Sequence, residues 1–320
     1  MTAPILEIDD LHVHFSVSGG GLLGGGRKVL HAVNGLSLHL REGECLSLVG
    51  ESGCGKSTTA LAVMGLQEPT SGAIRFRGQP FSGPAAPPRM ARAKAAQIVF
   101  QDPYASLNPR QTVWGSLAAP LRLHGVKARS EIEDRIAAML KSVGLSAEQG
   151  RRFPHEFSGG QRQRIGIARA LILGPEIVVL DEPVSALDVS IRAQIINLLL
   201  DLQDQFGLSY LMISHDLSVV EHMSDRVAVM FFGEIVETGP WQAIFTNPIH
   251  PYCRRLIATI PDPDVILGRS RKPTDGEQPA PPAGWRFADD GLDAPDLTQP
   301  PPSSELVEME PGHFVRLARA

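Results

Sequence analysis

The chain has 320 residues, of which 43% are hydrophobic and 20% charged, as is ordinary for a globular protein of one or two domains. Its formal net charge of −5 gives no electrostatic reason to expect nucleic acid as a partner. No apolar run approaches the roughly 18–20 residues that span a bilayer, and the N-terminus carries acids where a signal peptide carries basic residues. We therefore predict a soluble chain that is made in the cytoplasm.

The N-terminal third alternates between strands and loops. Periodicity and turn residues predict strands at Leu6–Val17, Val33–Leu40, Cys45–Val49, Ile74–Arg77 and Gln97–Phe100, with a glycine-rich loop at Gly19–Gly26. One helix is predicted in this part, from about Ser57 to Met64. The first strands form hairpins, so we expect an antiparallel β layer at the N-terminus.

Helices dominate from residue 102 to about residue 160. Ser130 and Glu133 form a capping-box pattern before a helix. Its apolar residues share one helical face: Ile132, Ile136, Met139, Leu140 and Val143. This block is predicted to be a helical subdomain inserted into the core.

Buried strands are predicted again at Ile177–Leu180 and Leu208–Ser214, separated by a helix at about Val189–Phe206. Strands that alternate with helices predict an α/β fold with a mostly parallel core sheet. The last part differs, because 11 of the 26 prolines lie in residues 261–320. We expect this Pro-rich C-terminal extension to be partly mobile, since it offers little apolar surface to offset its ordering entropy.

Residues 50–57 read GESGCGKS and lie between a predicted strand and a predicted helix. Glycines let such a loop point backbone N–H groups at an anion, a lysine adds positive charge for the β and γ phosphates, and a serine hydroxyl ligates Mg²⁺. The following helix adds the positive end of its dipole. The residues predicted to bind ATP are Gly50, Glu51, Ser52, Gly53, Cys54, Gly55, Lys56, Ser57 and Thr58.

A second buried strand, Ile177–Leu180, is followed by two carboxylates. Asp181, at a strand tip beside a phosphate loop, is suited to the Mg²⁺ shell. Glu182 is the candidate that accepts a proton from the water attacking the γ phosphate.

With these motifs and the string FSGGQ at residues 157–161, the chain resembles the ATP-binding subunits of ABC transporters over residues 5–260. The resemblance implies a P-loop NTPase cassette and assigns Gln101 to the loop that touches Mg²⁺ and water. It assigns His215 to the contact with the γ phosphate. The implied signature loop, which faces the partner's ATP, is Ser158, Gly159, Gly160 and Gln161, with Phe157 in place of the commoner leucine. The implied dimer loop is Ser185, Ala186, Leu187 and Asp188. The residue that stacks on adenine stays open between Phe15 and Arg27.

Three longer strings, at residues 99–110, 154–157 and 247–252, resemble the oligopeptide/dipeptide importer ATPases, whose relatives serve nickel and glutathione importers. Many of those members carry cysteines in their C-terminal extension, and some bind an iron–sulfur cluster there. This chain departs from them, because its three cysteines are Cys45, Cys54 and Cys253 and none follows. We therefore predict no iron–sulfur cluster, and the odd count without CxxC spacing predicts no disulfide framework or zinc site.

The resemblance implies an ATPase that works at the cytoplasmic face of the inner membrane as a peripheral subunit. Its implied partners are a second ABC ATPase subunit, two transmembrane permeases and an extracytoplasmic substrate-binding protein, with a heterodimer favoured over a homodimer. Peptide is the favoured cargo, while nickel and glutathione remain open. The alternative is a soluble ABC ATPase of translation or DNA repair. The sequence disfavours it, because such translation factors carry two cassettes and the DNA-repair type carries long coiled coils, whereas this chain has one cassette and no sustained heptads.

Overall fold

The computed structural model describes residues 3–18, 27–102, 106–260, 278–288 and 296–320. Two compact units make up the chain: the first contains residues 1–86 and 213–320, and the second contains residues 87–212. The predicted glycine-rich loop at 19–26 lies outside the described residues, as do 261–277 of the extension. The predicted domain limits at 260 and 261, and the helical subdomain at about 102–160, stay predictions.

The described strands and helices have the following bounds. The strands are β1 (Leu6–Ser18), β2 (Arg27–Leu40), β3 (Cys45–Val49), β4 (Ser71–Phe76), β5 (Gln79–Pro80), β6 (Ala96–Val99), β7 (Ile177–Asp181), β8 (Ser209–Ile213), β9 (Arg226–Phe231), β10 (Glu234–Pro240), β11 (Trp285–Phe287), β12 (Glu305–Glu310) and β13 (His313–Arg319). The helices are α1 (Lys56–Val63), α2 (Arg89–Ala95), α3 (Val113–Leu123), α4 (Arg129–Ser142), α5 (Gly159–Leu171), α6 (Val189–Phe206), α7 (Leu217–Met223), α8 (Trp241–Thr246) and α9 (Pro251–Ala258). Short 3-10 turns lie at Ala147–Arg151 and Pro154–Glu156.

The N-terminal strands form an antiparallel sheet in the order β2-β1-β4-β5, which confirms the predicted antiparallel layer. Its register pairs Leu6 with Leu40 and Ile8 with Leu38. These side chains are buried, whereas their neighbours Glu7 and His39 are more exposed, as the period of two along a strand requires.

The first unit also holds strands of the core sheet, and these place the phosphate loop. All five residues of β3 are buried, and β3 runs parallel to β9 with Val49 opposite Val229. The loop at 50–55 leaves the carboxyl end of β3 and leads into α1. In α/β proteins this edge of a parallel sheet is where ligands bind.

The C-terminal extension contributes strands to the same sheet. β10 pairs antiparallel with β9. β13 in turn pairs antiparallel with β10, with Thr238 opposite Phe314. β11 and β12 also pair with β13. Val315 and Leu317 of β13 are buried with Ile249, and Trp285 and other half-buried apolar side chains pack against them. The described part of the extension is therefore packed into the first unit.

In the second unit, β6 and β7 are parallel and helices surround them. Ile132, Ile136, Leu140 and Val143 are buried and Met139 is half-buried, which confirms the predicted apolar face of α4. The predicted capping box at Ser130 is wrong, because the helix begins at Arg129 and no side chain caps it. Glu133 instead accepts a hydrogen bond from Arg129 Nε at 2.8 Å, an i,i+4 pair on the exposed surface.

Candidate functional site

The phosphate loop is closely packed against the neighbouring strands. A Cβ atom added to Gly55 would lie 2.4 Å from the carbonyl oxygen of Ala32 and 2.6 Å from Met230 Cε. At Gly50 it would lie 2.1 Å from the carbonyl oxygen of Met230. Both glycines also have positive φ, at 112° and 148°. Packing and backbone conformation therefore both require glycine at these two positions of the loop.

Lys56 places a positive charge within this loop. Its Nζ donates to the carbonyl oxygens of Gly50 and Glu51, both at 2.7 Å, and the residue is 6% exposed. α1 begins at Lys56 without a side-chain cap, so the dipole at its N-terminus is free to act on an anion. Ser57 lies on the exposed side of the first turn, with Thr58 next to it. This arrangement suits a nucleotide phosphate with its Mg²⁺.

The thiol of Cys54 is buried beneath the loop. Cys54 is 3% exposed, its carbonyl oxygen accepts from Gly233 N at 2.8 Å, and its N–H donates to Glu51 O at 3.3 Å. Burial raises the pKa of the thiol, although the nearby charge of Lys56 opposes this. Cys54 thus shapes the loop through its backbone, and its burial favours the protonated thiol.

Tyr252 is a contact of the phosphate loop that the sequence did not reveal. Its hydroxyl oxygen accepts a hydrogen bond from Glu51 N at 3.0 Å, although the two residues are 201 positions apart. Burial raises the pKa of this hydroxyl, so it stays protonated. The sequence strings had marked Tyr252 as a family feature, but no local pattern indicates a partner so distant.

His215 follows β8 in a short polar turn of the first unit. Ser214 Oγ accepts from Asp216 N at 3.0 Å, and Asp216 Oδ1 accepts from Ser218 N at 3.1 Å at the start of α7. These bonds fix the turn, and the His215 ring is exposed. The structure thus places His215 directly after β8, in the first unit.

In the second unit the structure brings Gln101 and Glu182 together. Gln101 Nε2 donates to Glu182 Oε2 at 2.8 Å. Asp181 is the last residue of β7, and Glu182 follows it with φ of 49°, a left-handed conformation that costs a non-glycine residue roughly 1–2 kcal/mol. Ser185 stabilises this turn, because its N–H and its hydroxyl both donate to the carbonyl oxygen of Glu182, at 3.3 and 3.1 Å.

The signature loop and the dimer loop pack against each other in the same unit. Ser158 caps α5 in a capping box: its Oγ accepts from Gln161 N at 3.4 Å, and Gln161 Oε1 accepts from Ser158 N at 3.1 Å. A Cβ on Gly159 would lie 3.7 Å from Leu187 Cδ2. Ala186 and Asp188 of the dimer loop are exposed, and Asp188 precedes α6.

Gly160 is predicted to tolerate no side chain. A Cβ there would lie 2.4 Å from Ile191 Cγ2, whose β-branched side chain is stiff. We expect Gly160→Ala to lower the free energy of unfolding by about 1–3 kcal/mol, measured by thermal and denaturant unfolding. Gly159→Ala is the matched control, and Gly160→Ala combined with Ile191→Ala should recover stability. Equal stability of the two single alanine variants would contradict this packing.

The predicted cation site has Ser57, Gln101 and Asp181 as its candidate ligands. Across the described ranges, no group of three or more His, Cys, Asp and Glu side chains is arranged to hold a metal ion. Cys45, Cys54 and Cys253 are all buried and unpaired by disulfides. The assignment of Ser57, Gln101 and Asp181 to Mg²⁺ and the absence of an iron–sulfur cluster stay predictions.

Comparisons with known proteins identify the class of protein. A family model described as "ABC transporter" matches residues 33–185, and one described as "Oligopeptide/dipeptide transporter, C-terminal region" matches residues 236–289. The chain belongs to the ABC transporter family, in the oligopeptide/dipeptide group of ATP-binding subunits. This confirms the family that the sequence resembles.

Two kinds of relative stand out. The oligopeptide transport ATP-binding protein OppF of Salmonella typhimurium is 49% identical over 290 residues, which cover 88% of this chain and 87% of OppF. The glutathione import ATP-binding protein GsiA of Shigella dysenteriae is 54% identical over 258 residues, which cover 81% of this chain and 41% of GsiA. The chain thus spans about two fifths of the length of these GsiA relatives.

Solved structures agree on the fold. The dimeric cassette MJ0796 in a post-hydrolysis state bound to ADP and Pi has a TM-score of 0.64 at 26% identity, covering 74% of this chain and 98% of that one. cbiO1 of Clostridium perfringens, part of the transporter complex cbiONQ, has a TM-score of 0.66 at 26% identity, covering 83% and 99%. These matches confirm the predicted α/β ATP-binding cassette. None of the helices among the described residues is long and apolar enough to cross a bilayer.

Proposed function

We propose that this chain hydrolyses ATP to drive a membrane importer of di- or oligopeptides. The observation that carries the proposal is the complete phosphate loop around Lys56. The loop lies in a chain whose similarity to OppF covers 87% of the length of OppF. The match of residues 236–289 to the C-terminal region of peptide transporters favours an importer over a soluble ABC ATPase of translation or DNA repair.

In the proposed reaction, backbone N–H groups of the phosphate loop and Lys56 bind the β and γ phosphates of ATP. Ser57, Gln101 and Asp181 would hold Mg²⁺, whose charge would neutralise that of the phosphates. Glu182 accepts the proton of the attacking water, and Gln101, which already donates to its carboxylate, orients the acceptor. His215 contacts the γ phosphate. This assignment rests on the sequence motifs and on the local geometry within each unit.

The second half of the proposed cycle requires a second ATPase subunit. Ser158, Gly159, Gly160 and Gln161 would face the ATP held by the partner, and the exposed dimer loop would meet its counterpart. Closure on ATP is a population shift, since ATP binds the closed dimer better than the open one. The partners in the proposal are a different ATPase chain, two permeases and an extracytoplasmic binding protein, with the complex at the cytoplasmic face of the inner membrane.

Glutathione is the second candidate cargo. The identity of 54% with GsiA over 258 residues favours glutathione. The match to OppF favours peptides, because it covers a larger share of this chain and of the relative than the match to GsiA does. Nickel has no comparable support among these relatives.

Co-purification from membranes tests the proposal. The tagged chain, isolated from gently solubilised membranes, is expected to retain two multi-span permeases and a second ATPase, all absent from an untagged control. The binding protein encoded with those permeases would then be tested with labelled dipeptides, oligopeptides and glutathione. Recovery of ribosomes or DNA-repair factors instead of permeases would overturn the importer.

A further inference from the structure

The last strand of the C-terminal extension begins with a buried hydrogen bond between a histidine and a glutamate. His313 Nε2 of β13 shares a hydrogen bond of 2.6 Å with Glu237 Oε1 of β10, and the two side chains are 1% and 0% exposed. A carboxylate so deeply buried is costly unless every oxygen is bonded. The extension therefore supplies a partner that Glu237 needs.

Glu237 in turn fixes the entry to α9. Its Oε1 accepts from Ile249 N at 2.9 Å, and its Oε2 accepts from His250 N at 2.8 Å. His250 then caps the helix, because its Nδ1 accepts from Tyr252 N at 3.2 Å. One buried carboxylate thus connects β13 to the two residues that precede Pro251 and Tyr252.

Tyr252 completes the connection to the phosphate loop. Its ring lies 4.3 Å from that of Phe231 and is 1% exposed, so the position of its hydroxyl is fixed by packing. That hydroxyl accepts the N–H of Glu51, the second residue of the loop. Every member of this series lies within the first unit.

A second set of contacts reaches the loop from the same strand. Arg316 Nε donates to the carbonyl oxygen of Ile235 at 2.6 Å, and its Nη1 donates to Glu234 Oε1 at 3.2 Å. These residues follow Gly233, whose N–H donates to the carbonyl oxygen of Cys54. β13 is thus linked to both ends of the phosphate loop.

We propose that β13 positions the phosphate loop for ATP, acting through the series His313, Glu237, His250 and Tyr252 on the backbone of Glu51. The proposal rests on the proposed function, since it concerns the ATP affinity of this loop. A loop that is held in its binding shape loses less conformational freedom on binding, so affinity rises. His313 and Tyr252 are positioning residues, because their contacts are with the protein and not with the nucleotide.

Tyr252→Phe tests the last link of the series. It removes one hydroxyl and is expected to weaken binding of a fluorescent ATP analogue about three- to tenfold, with KM raised and kcat at saturating ATP nearly unchanged. The matched control is Tyr210→Phe, which removes an equally buried hydroxyl that donates to Leu199 O at 2.8 Å. The control should change stability alone. Equal affinities for the two variants would overturn the proposal.

His313→Ala and His313→Gln test the first link in the full-length chain. The alanine variant should weaken ATP binding, and the glutamine variant, whose amide can donate to Glu237, should recover most of it. The double variant His313→Ala/Tyr252→Phe should bind ATP no more weakly than whichever single variant has the lower affinity, because both changes interrupt the same series of contacts. A lower melting temperature with unchanged affinity in His313→Ala, or additive losses in the double variant, would overturn the proposal. If the wild-type chain failed to bind ATP at all, the proposed function would fall instead.

Discussion

Glu182→Gln is expected to lower ATP turnover by about 10²–10⁴ while ATP binding is preserved. Glutamine has nearly the same shape as glutamate but cannot take a proton from the attacking water. The position is suited to that role, because the carboxylate lies 2.8 Å from Gln101 Nε2 at the end of a buried strand. Phosphate release measures turnover, and equilibrium binding of labelled ATP measures affinity.

The same variant should accumulate a closed dimer in the presence of ATP, detected by gel filtration with the second ATPase subunit. Glu133→Gln is the control, since it changes a carboxylate of the same unit that pairs with Arg129 on the surface. Near-normal hydrolysis in Glu182→Gln would remove this residue from the mechanism.

Lys56→Ala is expected to weaken ATP binding by about one to two orders of magnitude. This is the change in affinity that corresponds to the free energy of a hydrogen bond to a charged group. The change removes the charge inside the phosphate loop and also the donor shared by the carbonyl oxygens of Gly50 and Glu51. The apo protein should therefore unfold at a lower temperature as well. Isothermal titration with ATP and thermal unfolding measure the two effects.

Lys141→Ala removes an exposed lysine from the last turn of α4 and serves as the control for net charge. Its ATP affinity and melting temperature should match the wild type. Unchanged ATP affinity in Lys56→Ala would contradict the assignment of this loop to phosphate binding.

Much of the site was predictable because its signals are local. The phosphate loop, the two carboxylates at the end of β7 and the serine-capped start of α5 each occupy a short stretch of sequence in which residue type dictates backbone geometry. The structure adds that Gln101 meets Glu182 and that Gly160 lies against Ile191. Such contacts depend on tertiary packing, which periodicity does not encode.

Two features escaped the sequence for different reasons. The strands of the extension are short and rich in polar residues. β13 buries the polar residues His313 and Arg316 along with Val315, Leu317 and Ala318, so no alternation of apolar and polar residues marks its buried face. The contact of Tyr252 with Glu51 joins distant parts of the chain, so no window of sequence contains it. The error at Ser130 concerns a helix boundary: a capping box there would start α4 at Glu131, but the helix begins two residues earlier, at Arg129, so Ser130 lies inside it.

Under the proposed mechanism, the backbone conformation of Glu182 sets catalysis against fold stability. Its φ of 49° suits glycine, and a glycine there would relieve roughly 1 kcal/mol of strain while it removed the carboxylate. Backbone strain alone would thus favour a residue that, with Glu182 as the proposed proton acceptor, would abolish turnover. In a gene duplicate that no longer needed to hydrolyse ATP, substitution of residue 182 by glycine would give a cassette that is more stable but has no ATPase activity.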